Sequence, residues 1–144
     1  MAQLRYPSLA EVIAIHEKVL HGLGEAPRSL RDEGLLESAL SRPQMAAHYQ
    51  GADLVRQATL LGTGISQAQA FLDGNKRTAF ATLDAVLWVN GWEFVGEPLE
   101  LARQFEQFAE RSNEADEAID AFEAWLRQYV QPRAERNRTE SNDV

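Results

Sequence analysis

The chain has 144 residues, a net charge of −8 and no cysteine. That length fits one domain able to bury a core without staples, and the lack of cysteine excludes disulfides and thiolate metal centres. An acidic chain with no basic stripe argues against direct nucleic-acid binding, which rests on Lys and Arg at phosphates.

In chain order the pattern is helical almost throughout. Ser8-Leu9-Ala10-Glu11 has the hydroxyl–carboxylate spacing of a capping box. Behind it Leu9, Val12, Ile13, His16, Val19, Leu20 and Leu23 recur at helical steps, and Gly22 and Gly24 stop the helix. A short helix is predicted over Glu33 to Ser41, ended by Pro43, with residues 44–52 as loop. Asp53 is the expected N-cap of a third helix reaching Gln69, a prediction weakened by Gly62 and Gly64. Residues 75–89 are apolar on nearly every side, which predicts a buried central helix stopped at Asn90-Gly91. Asp84 in its middle calls for a buried partner, an Arg or a backbone donor. Trp92 and Phe94 fall in a short extended link expected to pack as a lid on the core. Pro98 suits the first turn of the next helix, and a last one carries Ala115, Ala118, Ile119, Phe122, Trp125, Leu126 and Tyr129. Residues 131–144 have almost no apolar content and are expected to be a disordered tail. The expected fold class is therefore all-α, one domain over residues 1–130 with a buried central helix among amphipathic ones. No charged-then-apolar leader and no run near the ~20 residues of a membrane span is found, so a soluble, cytoplasmic protein without a membrane partner is expected.

The chemistry concentrates at Asp73-Gly74-Asn75-Lys76-Arg77-Thr78. A helix start offers free N–H groups and a partial positive charge. Gly74 and Asn75 tolerate positive φ and can shape an anion-holding nest. Lys76 and Arg77 oppose the helix dipole unless an anion joins them. Asp73 is an acceptor that could hold Mg²⁺ beside phosphates. The plainer reading is a helix start with two solvated cations. Of the histidines, His16 lies on the apolar face of the first helix and reads as a satisfied core residue, and His21 as surface. His48 falls in the 44–52 loop.

The stretch Phe71-Leu72-Asp73-Gly74-Asn75-Lys76-Arg77-Thr78 resembles the core motif of the Fic/Doc (Fido) superfamily, H-x-F-x-[DE]-[GA]-N-x-R. Lys76 after the Asn is similar to the death-on-curing (Doc) toxin branch. The Fic branch has Gly there and a second Arg where this chain has Phe80. Leu30-Arg31-Asp32-Glu33-Gly34-Leu35-Leu36-Glu37-Ser38-Ala39-Leu40 with Pro43, and Ile15-His16-Glu17, also resemble Doc-like signatures. The resemblance implies a Fido fold and the use of ATP with Mg²⁺. It implies phosphorylation of a Thr of elongation factor Tu, stopping translation. It also implies a small antitoxin whose C-terminal segment folds into the toxin's groove. Carried onto this sequence, Asn75 and the Gly74 backbone hold phosphate oxygens, Lys76 and Arg77 clamp them, and Asp73 aids Mg²⁺. His48 and Tyr49 fall where the family places a flap that lines up the target. The motif's general-base His corresponds to Gln69, which cannot titrate. Three functions stay open: an impaired Doc-like phosphotransferase, a non-catalytic module binding nucleotide or antitoxin, and a Fic-type adenylyl transferase.

Overall fold

A computed structural model describes residues 4–24 and 30–134. The described residues form six α-helices and one short two-stranded sheet whose strands are separated by two of the helices, α1 (Leu9–Gly22), α2 (Glu33–Gln50), α3 (Leu54–Ala68), α4 (Asn75–Val89), β1 (Trp92–Phe94), α5 (Pro98–Glu110), α6 (Ala115–Arg127) and β2 (Val130–Pro132). The all-α expectation holds. Among the described residues no helix is long and apolar enough to cross a membrane.

Local signals set several boundaries. The Ser8 hydroxyl accepts the Glu11 N–H at 3.1 Å and the Glu11 carboxylate accepts the Ser8 N–H at 3.1 Å, closing the capping box of α1. Asp53 caps α3 by accepting the Arg56 N–H at 3.0 Å. Pro98 opens α5.

Three expectations are corrected. First, α2 does not stop before Pro43 but runs on to Gln50, so residues 44–50 are helix. Pro43 removes one helix hydrogen bond, to the Ala39 carbonyl. The buried stripe Leu36, Ala39, Leu40, Pro43 and Ala46 nevertheless continues through it, and packing outweighs the lost bond. Gly64 of α3 faces Ala39 there; a methyl group on Gly64 would sit 3.6 Å from the Ala39 Cβ and 3.7 Å from its carbonyl oxygen, in ordinary contact. The true stop is Gly51 in the left-handed region.

Second, the most enclosed helix is α3, not α4. Residues 57–66 of α3 are buried on every side, whereas Trp88 and Val89 of α4 are 53% and 45% exposed. The glycines and threonines that made α3 look weak are what a central helix needs. A Cβ on Gly62 would meet Leu83 at 3.0 Å and Phe105 at 3.2 Å, so both α4 and α5 close on that bare backbone. Thr59 and Thr63 satisfy their hydroxyls by donating to the Val55 and Thr59 carbonyls, at 2.9 and 2.7 Å. Asp84 correspondingly lies on the open face of α4, with no Arg or backbone donor bonded to it among the described residues; partial desolvation pushes its carboxyl up.

Third, the tail expected from residue 131 begins as structure. β2 pairs antiparallel with β1, Phe94 opposite Val130 and Trp92 opposite Pro132. Beyond that pair the Arg133 N–H donates to the Gly91 carbonyl at 2.8 Å. The Arg133 guanidinium then lies over the Trp88 ring, 4.6 Å from its centroid. Trp92 and Phe94 pack on the core edge as the link was expected to. The rest of the expected tail, 135–144, lies outside the described residues.

Candidate anion-binding site

The site is the turn from the end of α3 to the start of α4. α3 ends at Ala68, and Gln69 reverses the chain in the left-handed region, φ 52° and ψ 37°. It is the one non-glycine residue with positive φ among the described residues, a conformation that costs on the order of 1 kcal/mol for a residue with a Cβ. Its side chain supplies part of the compensation, donating from Nε2 to the Ser66 carbonyl at 2.8 Å and so capping an orphan carbonyl of α3.

Four of the five carbonyls from Gln69 to Asp73 are tied down. The Gln69 carbonyl accepts from Arg31 Nε at 2.9 Å. The Ala70 carbonyl accepts the N–H groups of Arg31 and Asp32 at 2.6 and 3.1 Å. Asn75 Nδ2 donates to the Phe71 carbonyl at 2.9 Å, while Asn75 Oδ1 accepts the Phe71 N–H at 3.1 Å. The Asp73 carbonyl meets His16 Nε2 at 2.7 Å. Phe71 is buried and stacks on the His16 ring at 3.8 Å and 11°.

Gly74 caps α4 with φ 78° and no side-chain bond to the helix. The N–H groups of Asn75, Lys76 and Arg77 follow it, and among the described residues none has a backbone or side-chain acceptor outside the helix. Lys76 and Arg77 are exposed and make no ion pair among the described residues. Carbonyls held back, N–H groups forward and two unneutralised cations make an electropositive cradle. The cations also line one end of an apolar groove of about 710 Å³ between α1, α4 and α5, with Lys18, Leu23, Phe80 and Leu99.

Gln69, Asp73, Gly74, Asn75, Lys76 and Arg77 are therefore brought together, with one revision of role. The Asn75 side chain is spent holding Phe71 and lies 3.5 Å from Gln69 Oε1, so its backbone N–H, not its amide, faces outward. Asp73 is exposed, and its Oδ1 accepts the Gly74 N–H at 2.8 Å. No group of three or more metal-binding side chains occurs among the described residues. One carboxylate beside a phosphate cradle still fits Mg²⁺, which takes few protein ligands and completes its shell from phosphates and water.

His48 and Tyr49 do not join the site. They are exposed in the last turn of α2 and pack edge-on at 4.6 Å. That end of α2 adjoins the start of α3, where Gln57 reaches the Ala52 carbonyl. Gln69 lies at the other end of α3, 15 residues away, about 22 Å at 1.5 Å per residue. The segment that does lie against the motif is Leu30–Asp32, through the Arg31 bonds and a bridge between Leu30 and Phe71. Arg31 was not singled out by the sequence. The available signal was its place just before the α2 N-cap Asp32, which fixes it at the same end of the molecule as the turn.

Residues 6–87 match the Fic/DOC family, more than half of the chain. The chain belongs to the Fic/DOC family. The match runs from the segment before α1 to near the end of α4 and includes the whole anion cradle. The chain is also similar to Toxin Doc of Mycolicibacterium smegmatis, 39% identical over 66 residues, which cover 43% of this chain and 49% of that relative. The alignment thus spans about half the relative's length, and β1, α5, α6 and β2 lie beyond the family match.

Proposed function

We propose that the chain is a Doc-like toxin of a toxin–antitoxin pair, built to transfer the γ-phosphate of ATP to a Thr hydroxyl of elongation factor Tu and impaired by Gln69. The observation that carries this reading is the cradle, with its carbonyls tied back and Lys76 and Arg77 left without carboxylates. Triphosphate oxygens would sit on the N–H groups of Asn75, Lys76 and Arg77, with the two side chains clamping the charge that spreads in the transition state. Asp73 would leave the Gly74 N–H to reach Mg²⁺, which when bound neutralises charge on the phosphates. The target hydroxyl attacks phosphorus, the bond to the ADP oxygen breaks, and the hydroxyl proton must leave. A His at position 69 could take that proton. Gln69 cannot, which costs roughly 10²–10⁴ in rate. Positioning and charge, which dominate this chemistry, remain.

The apolar groove beside the cradle suits an antitoxin segment that becomes helical as it binds, with acidic side chains toward Lys18, Lys76 and Arg77. A second reading, a binding module without chemistry, is favoured by the bond from Gln69 Nε2 to the Ser66 carbonyl, which gives that side chain a purely structural task. Adenylyl transfer is disfavoured because Phe80, not an Arg, stands where the second triphosphate clamp is needed.

Expression in a bacterium tests these readings. The chain as it stands is expected to be nearly non-toxic. Gln69→His should produce growth arrest and phosphorylated elongation factor Tu, and Gln69→His with Lys76→Ala should lose both. Full transfer with Gln69 in place would mean that another group is the base. No transfer by the Gln69→His protein while ATP still binds would favour the binding module.

A further inference from the structure

The His16 imidazole takes no part in the transfer just described, yet it touches the phosphate turn at three points. It is 1% exposed, in line with Val12 and Leu20 on the inner face of α1. Its ring stacks on Phe71. Its Nε2 meets the Asp73 carbonyl at 2.7 Å. Its Cδ2 lies 3.5 Å from where Gly74 would carry a Cβ, so the ring packs in van der Waals contact range of that residue.

A carbonyl oxygen only accepts, so the Nε2 atom carries the proton and the tautomer is set. The Asp73 carbonyl and the Gly74 N–H belong to one peptide unit. That unit is trans, since the described chain has no cis bond, and its C=O and N–H point in opposite directions. Holding the carbonyl inward on His16 therefore aims the Gly74 N–H outward. An anionic oxygen already lies in that direction, the Asp73 carboxylate at 2.8 Å.

We propose that His16 is a positioning residue of the phosphate turn, whose Nε2–H fixes the Asp73–Gly74 peptide so that the Gly74 N–H faces an incoming phosphate oxygen. The proposal rests on the phosphate reading of the cradle. It gives the histidine a task that a purely apolar core residue could not perform, because Phe at 16 would keep the stack and lose the donor. Gln at 16 places its Nε2 the same number of bonds from Cβ as the imidazole Nε2 and would keep the donor.

The test is ATP·Mg²⁺ affinity by calorimetry, well below the unfolding temperature, for the full chain, His16→Phe and His16→Gln. His16→Phe is expected to bind roughly fivefold or more weakly, the effect of one lost hydrogen bond, with an unchanged circular dichroism spectrum. His16→Gln is expected within about twofold of the parent. Equal affinity for parent and His16→Phe overturns the proposal and leaves the phosphate reading intact. Equal weakening in both variants overturns it too, since the donor that Gln keeps would then give no advantage over Phe, which keeps only the stack. A parent chain that binds no ATP overturns the phosphate reading itself. Long-range ¹H–¹⁵N spectra of the parent add a check that needs no variant to fold. The Nε2–H tautomer is expected, and an Nδ1–H tautomer overturns the proposal.

Discussion

The two ends of α3 use charge in opposite ways. At the start, every cation has a carboxylate. Arg127 grips Asp53 with two bonds of 2.8 and 3.2 Å and Glu123 with one of 2.8 Å. Arg56 bridges Asp120 at 2.7 Å and Glu123 at 3.1 Å. These five side chains fasten α6 to α3 while Asp53 also caps α3. At the other end the hydrogen bonds serve the shape of a turn, and among the described residues Lys76 and Arg77 stand without carboxylates on a helix start whose dipole disfavours them. Charges that hold elements together are neutralised within the fold. Lys76 and Arg77 have no such partner among the described residues, at some expense in stability. The first end is expected to govern stability without touching binding, and the second the reverse.

Arg77→Ala should break that division most visibly if it is wrong. The side chain is exposed and has no ion-pair partner among the described residues, so its loss should change stability by less than about 0.5 kcal/mol. ATP·Mg²⁺ affinity should fall about tenfold or more, as expected for a charge-assisted bond to phosphate. Denaturant unfolding and calorimetry on the same two proteins check both halves; a variant that loses stability but not affinity would make Arg77 a structural residue. Asp53→Ala is the mirror case. It removes the α3 cap and both Arg127 bonds and should cost about 1–2 kcal/mol, with ATP·Mg²⁺ affinity unchanged. A fall in affinity would show that the two ends communicate along α3.

How much of this was readable beforehand depends on the reach of each interaction. The capping box at Ser8, the Asp53 cap, the Asn90-Gly91 stop and the amphipathic faces of α5 and α6 are decided within a few residues, and the sequence states them. The cradle was legible for the same reason, since Asp73 to Arg77 are contiguous. What escaped is decided at long range. Which of α3 and α4 is enclosed depends in part on Gly62 admitting Leu83 and Phe105, and small residues read as weak helix when viewed alone. Pro43 reads as a stop until the stripe from Leu36 to Ala46 is set against α3. The strand at Val130 exists only because β1 lies beside it. Arg31 and His16 reach the turn across 38 and 57 residues, and no local spacing encodes that. His48 and Tyr49 were misplaced because they were read as loop rather than as the last turn of α2.

The smallest expected effect isolates charge from capping at the quiet end of α3. Asp53→Asn keeps a good N-cap but removes the ionised partner of Arg127. The hydrogen bonds from Arg127, foremost, and the Arg56 backbone N–H hold the Asp53 carboxyl below its ordinary value of 3.8, against the opposing pull of desolvation. The folded protein therefore gives up this proton more readily than the unfolded chain does. The stabilisation is complete above the unfolded value and is lost as pH falls through the folded one. Asp53 is 58% exposed in its side chain, so solvent screens the pair and the difference should stay below about 1 kcal/mol. Parent and Asp53→Asn should differ most above about pH 5 and converge as the pH drops below 3.8. Urea unfolding midpoints at a series of pH values measure it. A gap that stays constant down to pH about 2.5, below where the pair can survive protonation, would mean that the Asn weakens the cap itself and that the ion network contributes nothing measurable.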